Sequence, residues 1–201
     1  MPDCKNKPEV FQKITKSIKY SIYGILILSL VAAVMYLNIF YTKPDNQYKP
    51  IAITNEVLIL NKTASIISRD GNIPLKVAKR YSIWIFEAAA EYSLDPILLL
   101  SVIYTESKFN YKAISPTGPI GLFQIASSYH KEKTTKAALF DPKNNIMVGA
   151  WILREYADRS KSTIETLLRY NGSLGEAPHY ATKVMTTKYK YEREIMKAIS
   201  L

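Results

Sequence analysis

A single cysteine, Cys4, stands among the 201 residues, so no disulfide can form within the chain. It precedes the long apolar run, which is the wrong side for a lipoprotein attachment site, and it reads as an unreactive thiol on a reducing side. Histidine is scarce too: His130 and His179 are the only two, and neither has an acid or a cysteine at metal-ligand spacing. Asp141-Pro142-Lys143-Asn144 holds too few carboxylates for a calcium loop. Metal and cofactor chemistry therefore find no motif. Internal repeats, low-complexity tracts and strand-length alternation are missing as well, which points to an all-α domain. Acidic residues are outnumbered 17 to 27, giving a net charge of +10. Lys and Arg are dispersed and no nucleic-acid motif is present, so a nucleic-acid partner is excluded in favour of another anionic surface.

The apolar run from Tyr20 to Tyr41 contains no charged residue. As a helix it would extend roughly 33 Å at 1.5 Å per residue, enough to cross a bilayer. Lys5, Lys7, Lys13, Lys16 and Lys19 precede it, offset by Asp3 and Glu9, so the positive-inside rule keeps the N-terminus in the cytoplasm. No small-x-small cleavage site lies at its far edge, which favours an uncleaved anchor over a signal peptide. The expected organisation is a basic cytoplasmic leader over 1–19, a transmembrane anchor over 20–41, a periplasmic tether or packing segment over 42–72, and a helical domain over 73–201. Within the third part Ile51 to Ile67 is apolar without a clear period, and strand and helix both stand open.

Asp70-Gly71-Asn72-Ile73-Pro74 punctuates the chain before a near-helical pattern of apolar residues from Leu75 to Tyr92. Further helices are predicted at Asn144 to Tyr156, Thr163 to Tyr170 and Tyr189 to Ile199. Asp95-Pro96 opens another, with Asp capping free N–H groups and Pro in the first helical position. Its last turn carries Glu106. Leu99, Val102, Ile103 and Glu106 fall at i, i+3, i+4 and i+7, so the carboxyl joins an apolar stripe. Desolvation there raises the pKa and keeps a proton available for general acid catalysis. The competing reading is a helix-end Glu paired with a neighbouring Lys. Glu87, Glu91, Asp95 and Glu132 lack a comparable setting.

Downstream lies Ser115-Pro116-Thr117-Gly118-Pro119-Ile120-Gly121-Leu122-Phe123-Gln124, a turn-rich segment whose glycines permit close backbone approach. Together with Glu106-Ser107-x-Phe109, with Asn144-Asn145-Ile146-x-x-Gly149-Ala150-x-x-Leu153 and with Arg169-Tyr170-Asn171-Gly172, it resembles the soluble-lytic-transglycosylase (SLT) family, which is related in fold to goose-type lysozyme. The likeness runs from about Ile73 to Met185. Three departures stand out: Arg169 replaces the family's usual Ala, Ile125 to His130 replace a Met-Pro-x-Thr type segment, and Ser173 follows the last motif where Gly is common.

The resemblance implies a lysozyme-like domain behind the transmembrane helix, acting on peptidoglycan glycan strands with no cofactor. Glu106 would protonate the oxygen of the β-1,4 bond between N-acetylmuramic acid and N-acetylglucosamine, then accept the proton of the muramoyl 6-hydroxyl as a 1,6-anhydro ring closes. Ser115 and Gln124 would hydrogen-bond the sugars, Gly118 and Gly121 would let glycan approach the backbone, and Tyr170 with Asn171 would close the cleft. Ser107, Phe123 and Asn144, from the same motifs, complete the implied substrate-binding set. Tyr170 as a core aromatic and Asn171-Gly172 as a bare turn remain open beside these roles. Two other functions stay open as well: a hydrolytic lysozyme, and a non-catalytic wall-binding component. The setting is equally open between wall turnover and a secretion, conjugation or phage-penetration apparatus in the inner membrane and periplasm.

Overall fold

The computed structural model describes residues 50–200. Six α-helices follow one another in this part: α1 Pro50–Gly71, α2 Leu75–Glu91, α3 Pro96–Ser107, α4 Pro142–Asp158, α5 Thr163–Asn171 and α6 His179–Ile199. A 3₁₀ turn, Ala138–Phe140, precedes α4, and isolated antiparallel bridges join Ile114 to Ile120 and Ile120 to Ile125. Among the described residues no helix is long and apolar enough to cross a membrane. The expected Tyr20–Tyr41 span lies outside the described residues.

Helix α3 sits at the centre. Its start is the expected one: Asp95 Oδ1 accepts the N–H of Ile97 at 2.7 Å and of Leu98 at 3.4 Å, and Pro96 follows the cap. Every residue from Leu98 to Ile103 is buried. A helix apolar on all faces must be surrounded, so the continuous hydrophobic run, more than any stripe, sets its place. Each of its fully buried Leu or Ile side chains stabilises the fold by about 1.5–3 kcal/mol.

Helices α2 and α6 pack directly against it, and α1, α4 and α5 pack on those two. In α2 the buried positions Ala78, Tyr81, Ser82, Ile85, Ala88 and Ala89 keep helical spacing. The ambiguous Ile51 to Ile67 segment is helical, with Ala64, Ile66 and Ile67 fully buried, so the core begins before residue 73. Tyr191 of α6 donates its hydroxyl to Asp70 Oδ2 at 2.9 Å, and Arg69 pairs with Glu194 at 2.8 Å, fastening the end of α1 to α6. Helix α6 itself starts at His179, ten residues before the predicted Tyr189.

Candidate active site

Helix α3 ends in a reversal that fixes Glu106. Lys108 caps the helix at φ 53° and Phe109 follows at φ 64°, both in the left-handed region that side chains rarely adopt. Phe109 is nevertheless fully buried, its ring 5.9 Å from that of Tyr104. Packing holds this strained turn, a kind of strain that clusters at functional sites. Lys108 places its ammonium 3.6 Å from the centroid of the Tyr104 ring, so it does not serve as the Glu106 counter-ion considered from sequence.

The segment after α3 is a tight double turn whose backbone is held from three elements. Ser107 donates its hydroxyl to the carbonyl of Leu122 at 2.9 Å. Asn145 of α4, fully buried, accepts the N–H of Phe123 at 2.8 Å and donates to the carbonyls of Ile120 and Leu139, each at 3.0 Å. Tyr170 of α5 donates to the carbonyl of Phe123 at 2.7 Å. At Ile120, Leu122 and Phe123 the loop's backbone is thereby tied to side chains of three helices, which satisfies peptide groups that would otherwise be buried without partners.

Two glycines make this possible by their lack of a side chain. A Cβ on Gly121, at φ +79°, would lie 2.2 Å from Asn145 Nδ2, and one on Gly149 would lie 2.2 Å from Cγ of Phe123. Asn145 and Gly149 stand one turn apart on α4, so one helix face grips the loop by its backbone and by its phenyl ring. Farther along that face Ile152 and Tyr156 line the cleft.

That cleft encloses about 350 Å³, within the range of small-ligand sites. Glu106 is the one carboxylate among its described lining residues, joined by Ser115, Gln124, Tyr170 and Asn171 of the sequence-based set. Ser115 donates its hydroxyl to Gln124 Oε1, while Gln124 Nε2 donates to the carbonyls of Gly121 at 2.9 Å and Ala113 at 3.2 Å. Gln124 sits at φ 50°, a third strained residue at the site after Lys108 and Phe109.

The remaining sequence-based residues fall outside the lining. The hydroxyl of Ser107 and the ring of Phe123 are buried in the loop's attachment. Asn144 spends its amide on the carbonyl of Ala138 at 3.0 Å, so its buried neighbour Asn145 carries the loop instead. Gly118 has open space around it, and Gly121 faces the Asn145 amide where close approach of glycan was expected.

Sequence reasoning missed Tyr180. From the first turn of α6 its hydroxyl donates to Glu106 Oε1 at 2.5 Å across 74 positions. Burial pushes the Glu106 carboxyl above the ordinary Glu value, against the opposing pulls of the Tyr180 hydrogen bond and the Lys183 charge. Burial also lifts the Tyr170 hydroxyl well above the usual tyrosine value, with the Glu106 charge second. Both phenols are therefore neutral donors at physiological pH. Tyr129, His130 and Arg169 complete polar parts of the wall. Burial holds the His130 imidazole below its usual value. Among the described residues no three His, Cys, Asp or Glu side chains converge on one point.

Residues 83–193 match the family described as Transglycosylase SLT domain. A transglycosylase of Enterobacteria phage PRD1 is 36% identical over 114 residues, covering 57% of this chain and 41% of that protein. Membrane-bound lytic murein transglycosylase C of Mannheimia succiniciproducens is 34% identical over 107 residues, 46% of this chain and 29% of its own length. The protein of the same name from Haemophilus influenzae is 36% identical over 95 residues, 40% of this chain and 27% of its own length. The chain thus spans well under half the length of these relatives.

Proposed function

This chain belongs to the Transglycosylase SLT domain family, and from that premise we propose that it cleaves peptidoglycan glycan strands as a lytic transglycosylase. The observation that carries the reading is the setting of Glu106: the one carboxyl among the described residues lining the cleft, raised in pKa by burial and held at one oxygen by Tyr180. With Oε1 accepting the Tyr180 hydroxyl, the acidic proton belongs on Oε2. That proton passes to the glycosidic oxygen as the C1–O bond breaks. The substrate's N-acetyl group steadies the positive charge, so no second carboxylate is required.

The Glu106 carboxylate left behind is stabilised by the Tyr180 hydroxyl and the Lys183 charge. It then takes the proton of the muramoyl 6-hydroxyl, O6 bonds to C1, and Glu106 is neutral again. No water is consumed. The products are a strand end with N-acetylglucosamine and one with 1,6-anhydro-N-acetylmuramic acid. Mass spectrometry of digested sacculi tests this: anhydro ends are expected, and reducing muramoyl ends would assign a hydrolytic lysozyme.

Anchoring by residues 20–41 with the catalytic domain on the periplasmic side of a bacterial inner membrane completes the proposal. The uncharged span, its lysine-rich leader and the relatives named membrane-bound support it. The phage relative supports a setting in which wall opening serves infection, alongside wall turnover and transport.

Tyr180→Phe separates the two roles of its hydroxyl. The hydrogen bond favours the charged carboxylate, so its loss raises the Glu106 pKa further. Activity that needs the protonated acid falls as pH rises through that pKa, so the alkaline limb of the pH profile should move to higher pH. The maximal rate should drop about tenfold or more, because a hydrogen bond to the charged intermediate form contributes roughly 1.5–3 kcal/mol. A pH–rate profile of wall lysis by both proteins checks shift and loss together.

A further inference from the structure

Arg169 introduces into the cleft a charge that the glycan backbone does not require. It stands where the related motif has Ala, and it lines the same cavity as Glu106 and Asn171. Its guanidinium is held on one side only. Nε and Nη2 donate to Glu165 Oε1 at 3.1 and 2.7 Å, while Glu165 Oε2 accepts the N–H of Lys161 at 2.9 Å. The backbone N–H of Glu165 in turn donates to Ser162 Oγ, the cap of α5. A helix cap therefore fixes a glutamate, and the glutamate fixes the arginine. Among the described residues no partner takes the Nη1 edge, and the side chain is 31% exposed.

An arginine carries five N–H donors and can serve two carboxylates in one plane. Neither sugar of the strand bears a charge, whereas the stem peptides attached to muramic acid carry carboxylates. We propose that Arg169 forms a subsite for a stem-peptide carboxylate, so that this enzyme prefers peptide-bearing strands to bare ones. The inference rests on the reading of the cleft as a peptidoglycan site. Glu165 orients the guanidinium and removes the rotamer freedom that binding would otherwise have to freeze.

The test compares full-length protein on two forms of one wall preparation, intact sacculi and glycan stripped of its stems by an amidase. Wild type should show higher kcat/KM on intact strands. Arg169→Ala should lower that preference about tenfold, the effect of one charge-assisted contact. Arg169→Lys keeps the charge without the fork and should fall between. Lys197→Ala, at the far end of α6, should leave the preference unchanged. Thermal unfolding of each variant shows that the fold is retained, since an exposed i,i+4 pair stabilises a helix little.

A preference equal in wild type and Arg169→Ala would overturn the subsite while leaving the transglycosylase reading intact. The free stem peptide gives a readout without catalysis. It should shift cleft resonances saturably in wild type and far less in Arg169→Ala, and identical shifts in both would sink the subsite even for an inactive preparation.

Discussion

Replacing Glu106 by Gln is expected to lower kcat for wall lysis by about 10⁴-fold, the upper range for removing a general acid or base, because one side chain serves both steps. Gln is nearly isosteric and its carbonyl can still accept the Tyr180 hydroxyl, so glycan binding should survive. Assays of anhydro-product release, paired with a sacculus pull-down, check both. A rate within tenfold of wild type would assign catalysis to another group.

The same substitution should raise thermal stability at neutral pH, and the sign follows from linkage. Folded Glu106 keeps its proton to higher pH than the unfolded chain does. Between the two pKa values the folded state binds more protons, so stability falls as pH rises through that window and stays lower above it. Gln has no such loss. The variant's gain in Tm should therefore be present at pH 7 and vanish below the ordinary Glu pKa, a signature of strain kept for function.

Asn145→Ala is expected to be the most damaging single truncation outside the cleft. It strands the N–H of Phe123 and the carbonyls of Ile120 and Leu139 in a site sealed from solvent. Each unsatisfied buried group costs about 1–3 kcal/mol, so the three together cost roughly 3–9 kcal/mol, lowering Tm by about 10 °C or more. Activity should fall as well, because Ser115 and Gln124 ride on the loop that Asn145 holds. Asn144→Ala, which removes only the half-buried bond to Ala138, should cost about 1 kcal/mol. Calorimetry on the pair checks the contrast, and equal losses would contradict it.

The neighbouring asparagines show where sequence reasoning reached its limit. Both stand in one motif, yet they point about 100° apart on α4, and only the packed structure decides which faces the loop. The same holds for Gly121 and Gly149. Their smallness is visible in the chain, while the Asn145 amide and the Phe123 ring that require it are contributed from distant positions. Local signals fared better: the Asp95-Pro96 cap, the apolar run of α3 and Glu106 at its end are all set within a dozen residues. Tyr180 lies 74 positions from its partner, and its local trace is its place beside Ala181, the first buried position of α6. That helix begins after Pro178, but polar residues between the buried Val184 and Tyr191 hide its first half. Ile51 to Ile67 hid its period for a related reason: apolar residues such as Val57 and Leu58 stay exposed and blur the stripe.

All of the chemistry turns on the protonation state of one carboxyl. Carbon-13 NMR of protein labelled at glutamate side chains, with Glu106→Gln to assign the resonance, follows that group directly through pH. The signal missing from the variant should titrate above the ordinary Glu range and move higher still in Tyr180→Phe. A Glu106 resonance that titrates at or below the ordinary value, unmoved by loss of the Tyr180 hydroxyl, would contradict the account.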